Sequence, residues 1–168
     1  MSDIKFAYGT EANVTITLAS LATSTTKLAG RQSTAIDNTS LKALDYLVSG
    51  NITTGTSPTT ARSIEIWAVA ALDYSAPTFL AGFGASDAAG PTLIAENKIS
   101  VAKLVASIPT VGTSDQAYSF GAVSIASLFG GVVPPKFVLF VTHDTGVNLN
   151  STSGNHQIRL QPVYETIA

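Results

Sequence analysis

Residues 136–144, KFVLFVTHD, most restrict what this chain can become. Pro134 and Pro135 stand just before them, and proline, lacking an N–H, does not continue a β-ladder. Phe137, Val138, Leu139, Phe140 and Val141 follow without a polar break, and Asp144 and Gly146 supply a turn. A run of β-branched, aromatic and aliphatic residues this short predicts a strand, not a helix, and one buried on both faces. Such a strand needs other structure against each face, and the rest of the chain is read as what supplies it.

Residues 14–18 alternate Val14, Ile16 and Leu18 with Thr15 and Thr17, the period of a half-buried strand. Residues 20–40 are mostly Ser, Thr, Ala and Gly, a surface segment around a short strand. Strands are expected over 44–52, 64–71, 101–108, 117–123 and 156–164, with a loop over 53–63 and a long connection over 73–91. Val101, Leu104 and Val105 do not fall on one face of their strand. Pro162 marks the end of the last strand as an edge or a bulge. Ile125, Leu128 and Phe129 recur at helical spacing before Gly130 and Gly131, which predicts one or two helical turns plugging an end of the fold. Seven or eight short strands and little helical periodicity give an all-β antiparallel sandwich, and the long connections suit a jelly-roll with one short helix. Residues 13–168 are expected to form one domain, and residues 1–12 an N-terminal arm or an edge strand.

Charge is sparse, at 12% of residues against a usual roughly 25%. Mean hydropathy is +0.31, yet no run reaches the ~18 apolar residues of a membrane span. Even the most apolar stretch, 64–72, contains Glu65, so no membrane partner is expected. A net charge of −2 with scattered Lys and Arg argues against nucleic acid. The chain lacks Cys, which excludes disulfides and thiolate metal sites. The first residues, MSDIKFAYG, hold no apolar signal region. The sequons at Asn13, Asn38, Asn51 and Asn150 are read as by-products of a chain with 39 Ser and Thr residues. The apolar excess is assigned to a core and to contacts with other subunits.

His143, Asp144 and His156 are the one cluster whose chemistry invites a metal, as a two-His, one-carboxylate set across the 145–155 loop. The plainer reading has Asp144 capping a turn and each His bonding loop backbone, and no metal or other cofactor is assigned. Serine is abundant, but no G-x-S-x-G elbow accompanies it. Gly82, Gly84 and Gly90 lack dinucleotide spacing, and Asp37, Asp45, Asp73, Asp87 and Asp115 are isolated from one another. Trp67, Tyr46, Tyr74 and Phe79 are weighed as a sugar-stacking platform against core or subunit contacts. No catalytic constellation emerges.

Four stretches carry a resemblance: GRQSTAIDNTS at 30–40, ITTGTSPTTARSIEIW at 52–67, SFGAVSIASLFGG at 119–131 and FVTHDTGVNLNSTSGNHQIRLQPVY at 140–164. Together they resemble small structural proteins of tailed-bacteriophage virions, of the jelly-roll capsid decoration (cement) type. The resemblance implies a non-enzymatic protein, made in the host cytoplasm, that binds the major capsid protein on the outside of the head and strengthens it. A tail, collar or head-fibre component and a glycan-binding surface module are the alternatives. The apolar composition implies a homo-oligomer, a trimer before a dimer because heads offer three-fold sites, with Trp67 and Val69 as subunit contacts. Ile4, Phe6 and Tyr8 alternate with Asp3, Lys5 and Ala7, a pattern that can add a strand to a neighbour's sheet, and they are the expected capsid contact. The same residues serve equally as an edge strand of their own sandwich.

Overall fold

The computed structural model describes residues 4–72 and 79–167. In chain order the elements are β1 (Ile4–Tyr8), β2 (Ala12–Asn13), β3 (Arg31–Gln32), β4 (Ile36–Asp37), α1 (Asn38–Leu41), β5 (Asp45–Thr53) and β6 (Arg62–Ala71). They continue as β7 (Ala88–Ala89), α2 (Ala95–Val101), β8 (Ala102–Thr110), β9 (Ala117–Ser124), α3 (Ile125–Leu128), β10 (Lys136–His143) and β11 (Gln157–Ile167). No helix among the described residues is long and apolar enough to cross a membrane.

The strands form two antiparallel sheets. One runs β1-β11-β5-β9, with β2 beside β11; the other runs β7-β3-β10-β6-β8, with β4 beside β10. The chain changes sheet from β2 to β3, from β4 to β5, from β5 to β6, and at each step from β8 through β11. Set β1 and β2 in one strand position and β3 and β4 in another, and each sheet has four positions, with the two-residue β7 added outside β3. The path through them is a jelly-roll, an all-β sandwich of two facing sheets.

β10 is the strand that residues 136–144 predict, and Phe137 to Val141 have no exposed surface. Its two faces enter different cores. Phe137, Leu139 and Val141 point between the sheets, against Val48, Ile52, Ile64, Ile66 and Ile158. Val138 and Phe140 point the other way, into a second cluster with Val69, Phe79, Phe83 and Leu93. That second layer is the segment 79–101, folded across the outside of the β10–β6 sheet. Phe83 meets Phe140 edge-on at 5.3 Å. A Cβ on Gly90 would lie 2.5 Å from the Phe140 ring, so only glycine lets the segment come this close.

One ion network fastens the cover. Lys98, buried on α2, sets its Nζ 2.7 Å from Glu65 Oε2 and 2.8 Å from the Lys27 carbonyl, with the Trp67 ring centroid 4.5 Å away. Lys27 Nζ lies 2.8 Å from Glu65 Oε1, and the Trp67 indole donates to Glu65 Oε2 at 2.9 Å. Burial pushes the Glu65 carboxyl up, but the hydrogen bonds from Lys27, Lys98 and Trp67 outweigh it and leave the group below its ordinary value.

Three local expectations are corrected. Residues 14–18 keep their alternation, with Val14 and Leu18 buried, but form no ladder. The Val14 N–H donates to Ile158 in one sheet while the Thr15 carbonyl accepts from Thr34 near the other, so the segment spans the gap between them. The uneven pattern over 101–108 has two causes: α2 occupies Ala95–Val101, and β8 carries a bulge. Ile66 pairs with Ala106 but Trp67 with Leu104, which leaves Val105 extra and shifts the phase. Finally, Pro162 does not end β11, which runs on to Ile167, paired with β5 as far as Val163 and with β1 from there on. The Pro162 carbonyl accepts from the Gly9 N–H, so the donor that proline lacks would have faced the break between β1 and β2, where the Gly9 carbonyl takes the Gln161 side chain instead.

Candidate functional site

The metal candidates are each committed to the fold. His143 is fully buried at the end of β10, with Nε2 3.0 Å from the Leu21 carbonyl and Nδ1 2.9 Å from the Thr145 hydroxyl. His156 directs Nε2 to the Asn150 carbonyl at 2.8 Å, and its Nδ1 takes the Thr53 N–H. Burial holds both imidazoles below the usual histidine value, in the neutral form. Asp144 accepts from the Ser63 N–H at 2.8 Å and faces Arg62 at 3.8 Å. These bonds pin the 145–155 loop to the strand ends. Among the described residues no three His, Cys, Asp or Glu side chains are grouped to hold a metal ion.

The aromatic residues weighed as a sugar platform are spent on packing. Tyr46 is buried, donates its hydroxyl to Asn38 Oδ1 at 3.1 Å and meets Phe137 edge-on. Burial pushes its pKa up to about 12. Phe79 is buried in the outer cluster, and Tyr74 lies outside the described residues.

The expected subunit contact at Trp67 and Val69 is also corrected. Val69 is 1% exposed under Phe79, Phe83 and Leu93, and Trp67 is half-buried beneath Lys98. The chain's own 79–101 segment covers the outward face of β6 that they were expected to offer a neighbour.

What stays open is the margin formed by β1. Ile4, Phe6 and Tyr8 are 69%, 74% and 65% exposed, although β1 is paired along its whole length with β11. The register runs from Ile4 opposite Ile167 to Tyr8 opposite Val163. β5 begins at Asp45, opposite Val163, so β11 beyond that point has only β1 beside it. The two strands therefore leave the sandwich as a two-stranded ribbon. Such a ribbon is marginal in water by itself. Edge strands are normally defended by charge, proline or a bulge. β1 carries Lys5 alone, and Lys5 points to the opposite face from the three apolar side chains.

At the foot of the ribbon, on its inner side, a groove of about 530 Å³ opens between the sheet margins, lined by Val14, Ile36, Leu41, Tyr46, Pro162 and Tyr164 among others. Gly9 permits the close approach there: a Cβ would lie 2.5 Å from the Tyr164 ring. The alternation that marks Ile4, Phe6 and Tyr8 in the sequence is therefore a real strand face. The structure adds that it belongs to this chain's own sheet and that it points to solvent. The sequence reading carries the β11 half of the ribbon only to residue 164, with Pro162 marking that end as an edge or a bulge, whereas the strand continues to Ile167. No protein-family model, curated protein or solved structure matches the chain.

Proposed function

We propose that this chain is a non-enzymatic structural protein that acts by attaching itself to a protein assembly through the β1 face. The assembly we assign is a tailed-phage head, where the chain would sit on the outer surface as a decoration protein and bridge neighbouring copies of the major capsid protein. The observation that carries this reading is the row Ile4, Phe6 and Tyr8, three large apolar side chains left in solvent on a strand with a full partner on its other side. Apolar surface exposed on a rigid frame is the usual mark of a protein contact. The same reading is supported by His143, Asp144 and His156, whose polar atoms are spent on loop and strand-end groups of the fold. Many copies on one head, each held by a modest contact, bind tightly through multivalency.

A glycan-binding module is less well supported, since Tyr46 and Phe79 are buried. The test mixes purified chain with heads stripped of surface proteins and measures copies bound per head. The variant Ile4→Ser/Phe6→Ser removes exposed side chains, so it should fold normally and lose head binding. Wild-type binding by this folded variant, or a natural particle with only a handful of copies, would refute the proposal.

A further inference from the structure

We infer that the open edge of β1 pairs with β1 of a second copy of this chain, antiparallel and about a two-fold axis at Phe6. The inference rests on reading the ribbon as an association element, and it names a partner for the backbone edge where the capsid contact uses the side-chain face.

The phase of the ladder decides which backbone groups are free. The Gly9 N–H donates to the Pro162 carbonyl, and the Thr166 hydroxyl donates to the Lys5 carbonyl. Residues 5, 7 and 9 therefore turn their N–H and C=O toward β11. Ile4, Phe6 and Tyr8 turn theirs to the margin, since these groups alternate along a strand. The outward backbone groups thus belong to the same three residues whose apolar side chains are exposed.

Two such edges match each other. With the axis at Phe6, Phe6 faces Phe6 of the second copy and Ile4 faces its Tyr8. All are hydrogen-bonded pairs, so the three outward N–H groups and three outward carbonyls of each copy find partners. The six side chains of these residues then form one continuous apolar face. Lys5, the one charge on β1, faces Ala7 of the second copy, so no like charges are placed opposite each other. The other margins are poor sites for the same addition. β7 has two residues, and β8 and β9 lie against each other, with the Tyr118 hydroxyl accepting from the Val111 N–H at 2.9 Å. A two-fold pair at β1 therefore closes as a dimer and does not propagate. Among the described residues no comparable edge serves the three-fold state expected from head symmetry.

Sedimentation equilibrium of the full chain at micromolar concentration should return twice the 17.3 kDa chain mass. Phe6→Pro removes an outward N–H and leaves the β11 ladder whole, so it should weaken the dimer at least tenfold while the thermal unfolding curve stays cooperative. Register is read independently, because the chain has no native Cys. Phe6→Cys should cross-link to dimer with a short bis-maleimide, whereas Ile4→Cys and Tyr8→Cys should each cross-link far less. A monomeric wild type at 100 µM, a Phe6→Pro dimer as tight as wild type, or equal cross-linking at all three positions would overturn the inference. No phage head is needed, so the two readings fail separately: a dimer that ignores heads refutes only the function, and a monomer that binds them refutes only the pairing.

Discussion

Replacing Lys98 by Met tests whether the cover over β10 is held by its ion network. Methionine keeps most of the apolar stem in place while deleting the charge. The ammonium gives up the Glu65 carboxylate at 2.7 Å, the Lys27 carbonyl at 2.8 Å and the Trp67 ring at 4.5 Å. Removing one partner of a buried pair costs about 3–5 kcal/mol, chiefly because the other charge is left uncompensated. Glu65 is not stranded here: Lys27 and the Trp67 indole still reach it, at 2.8 and 2.9 Å. The expected loss is therefore at the lower end, about 3 kcal/mol, which for a chain of this size lowers Tm by about 6–12 °C. Urea unfolding should show a lower midpoint at unchanged slope. The Leu93 and Gly90 amides, which bond Leu28 and Gly30, should exchange faster than those of β10. Glu65→Gln completes a double-mutant cycle, with an expected coupling above about 1 kcal/mol. A loss below about 1 kcal/mol for Lys98→Met, or no coupling, would show that apolar packing by Phe79, Phe83 and Leu93 holds the cover without the ions.

Gly90→Ala drives a methyl into the Phe140 ring and should cost about 1–3 kcal/mol by overpacking, with partial rescue in a Phe140→Leu background; an additive double variant would refute the contact. Because His143 and His156 sit below the ordinary 6.5, the unfolded chain takes up protons that the fold refuses. Stability should be complete above that value and fall as pH drops beneath it, before the carboxylates Glu65 and Asp87 titrate. The urea midpoint measured at pH 7.5, 6.5 and 5.5 should decline, and less steeply in His156→Gln; a flat profile would refute it. Asp45→Ala removes the carboxylate that accepts from the Tyr46 and Ala126 N–H groups, at 2.7 and 2.8 Å. By analogy with helix caps it should cost about 1–2 kcal/mol in thermal unfolding, and a change within error would refute the tie between α3 and β5.

β10 was legible because burial on both faces leaves an unbroken apolar run. The sandwich followed from it, and the helical turn at α3 was legible from the spacing of Ile125, Leu128 and Phe129 ahead of Gly130 and Gly131, which have positive φ. The outer cover was not legible. Its core residues Phe79, Phe83 and Leu93 are separated by Gly, Ala and Ser with no period, and α2 is seven residues long with a buried Lys98. Without the cover, Trp67 and Val69 read as a free face. Val14, Ile16 and Leu18 show that alternation reports which side is buried but not whether a neighbouring strand completes the ladder. The same limit applied to β1: its period is identical whether the apolar side faces a core or solvent.

The ribbon also sets a schedule. Lys5 meets Thr166 across 161 residues of chain. At roughly 5–20 residues per second, a ribosome takes roughly 8–30 s to make that intervening stretch. Throughout that interval the segment that becomes β1 has no strand to fix its register, so its backbone groups do not yet line up as an edge. The pairing surface thus comes into being with β11, among the last parts of the sandwich to be synthesised. Nascent chains crowded on one message are kept from joining through half-made edges, and products released before β11 is made are excluded. Chains arrested ahead of residue 157 should fail to co-purify with a tagged full-length copy; their recovery would show that the edge forms without its partner strand.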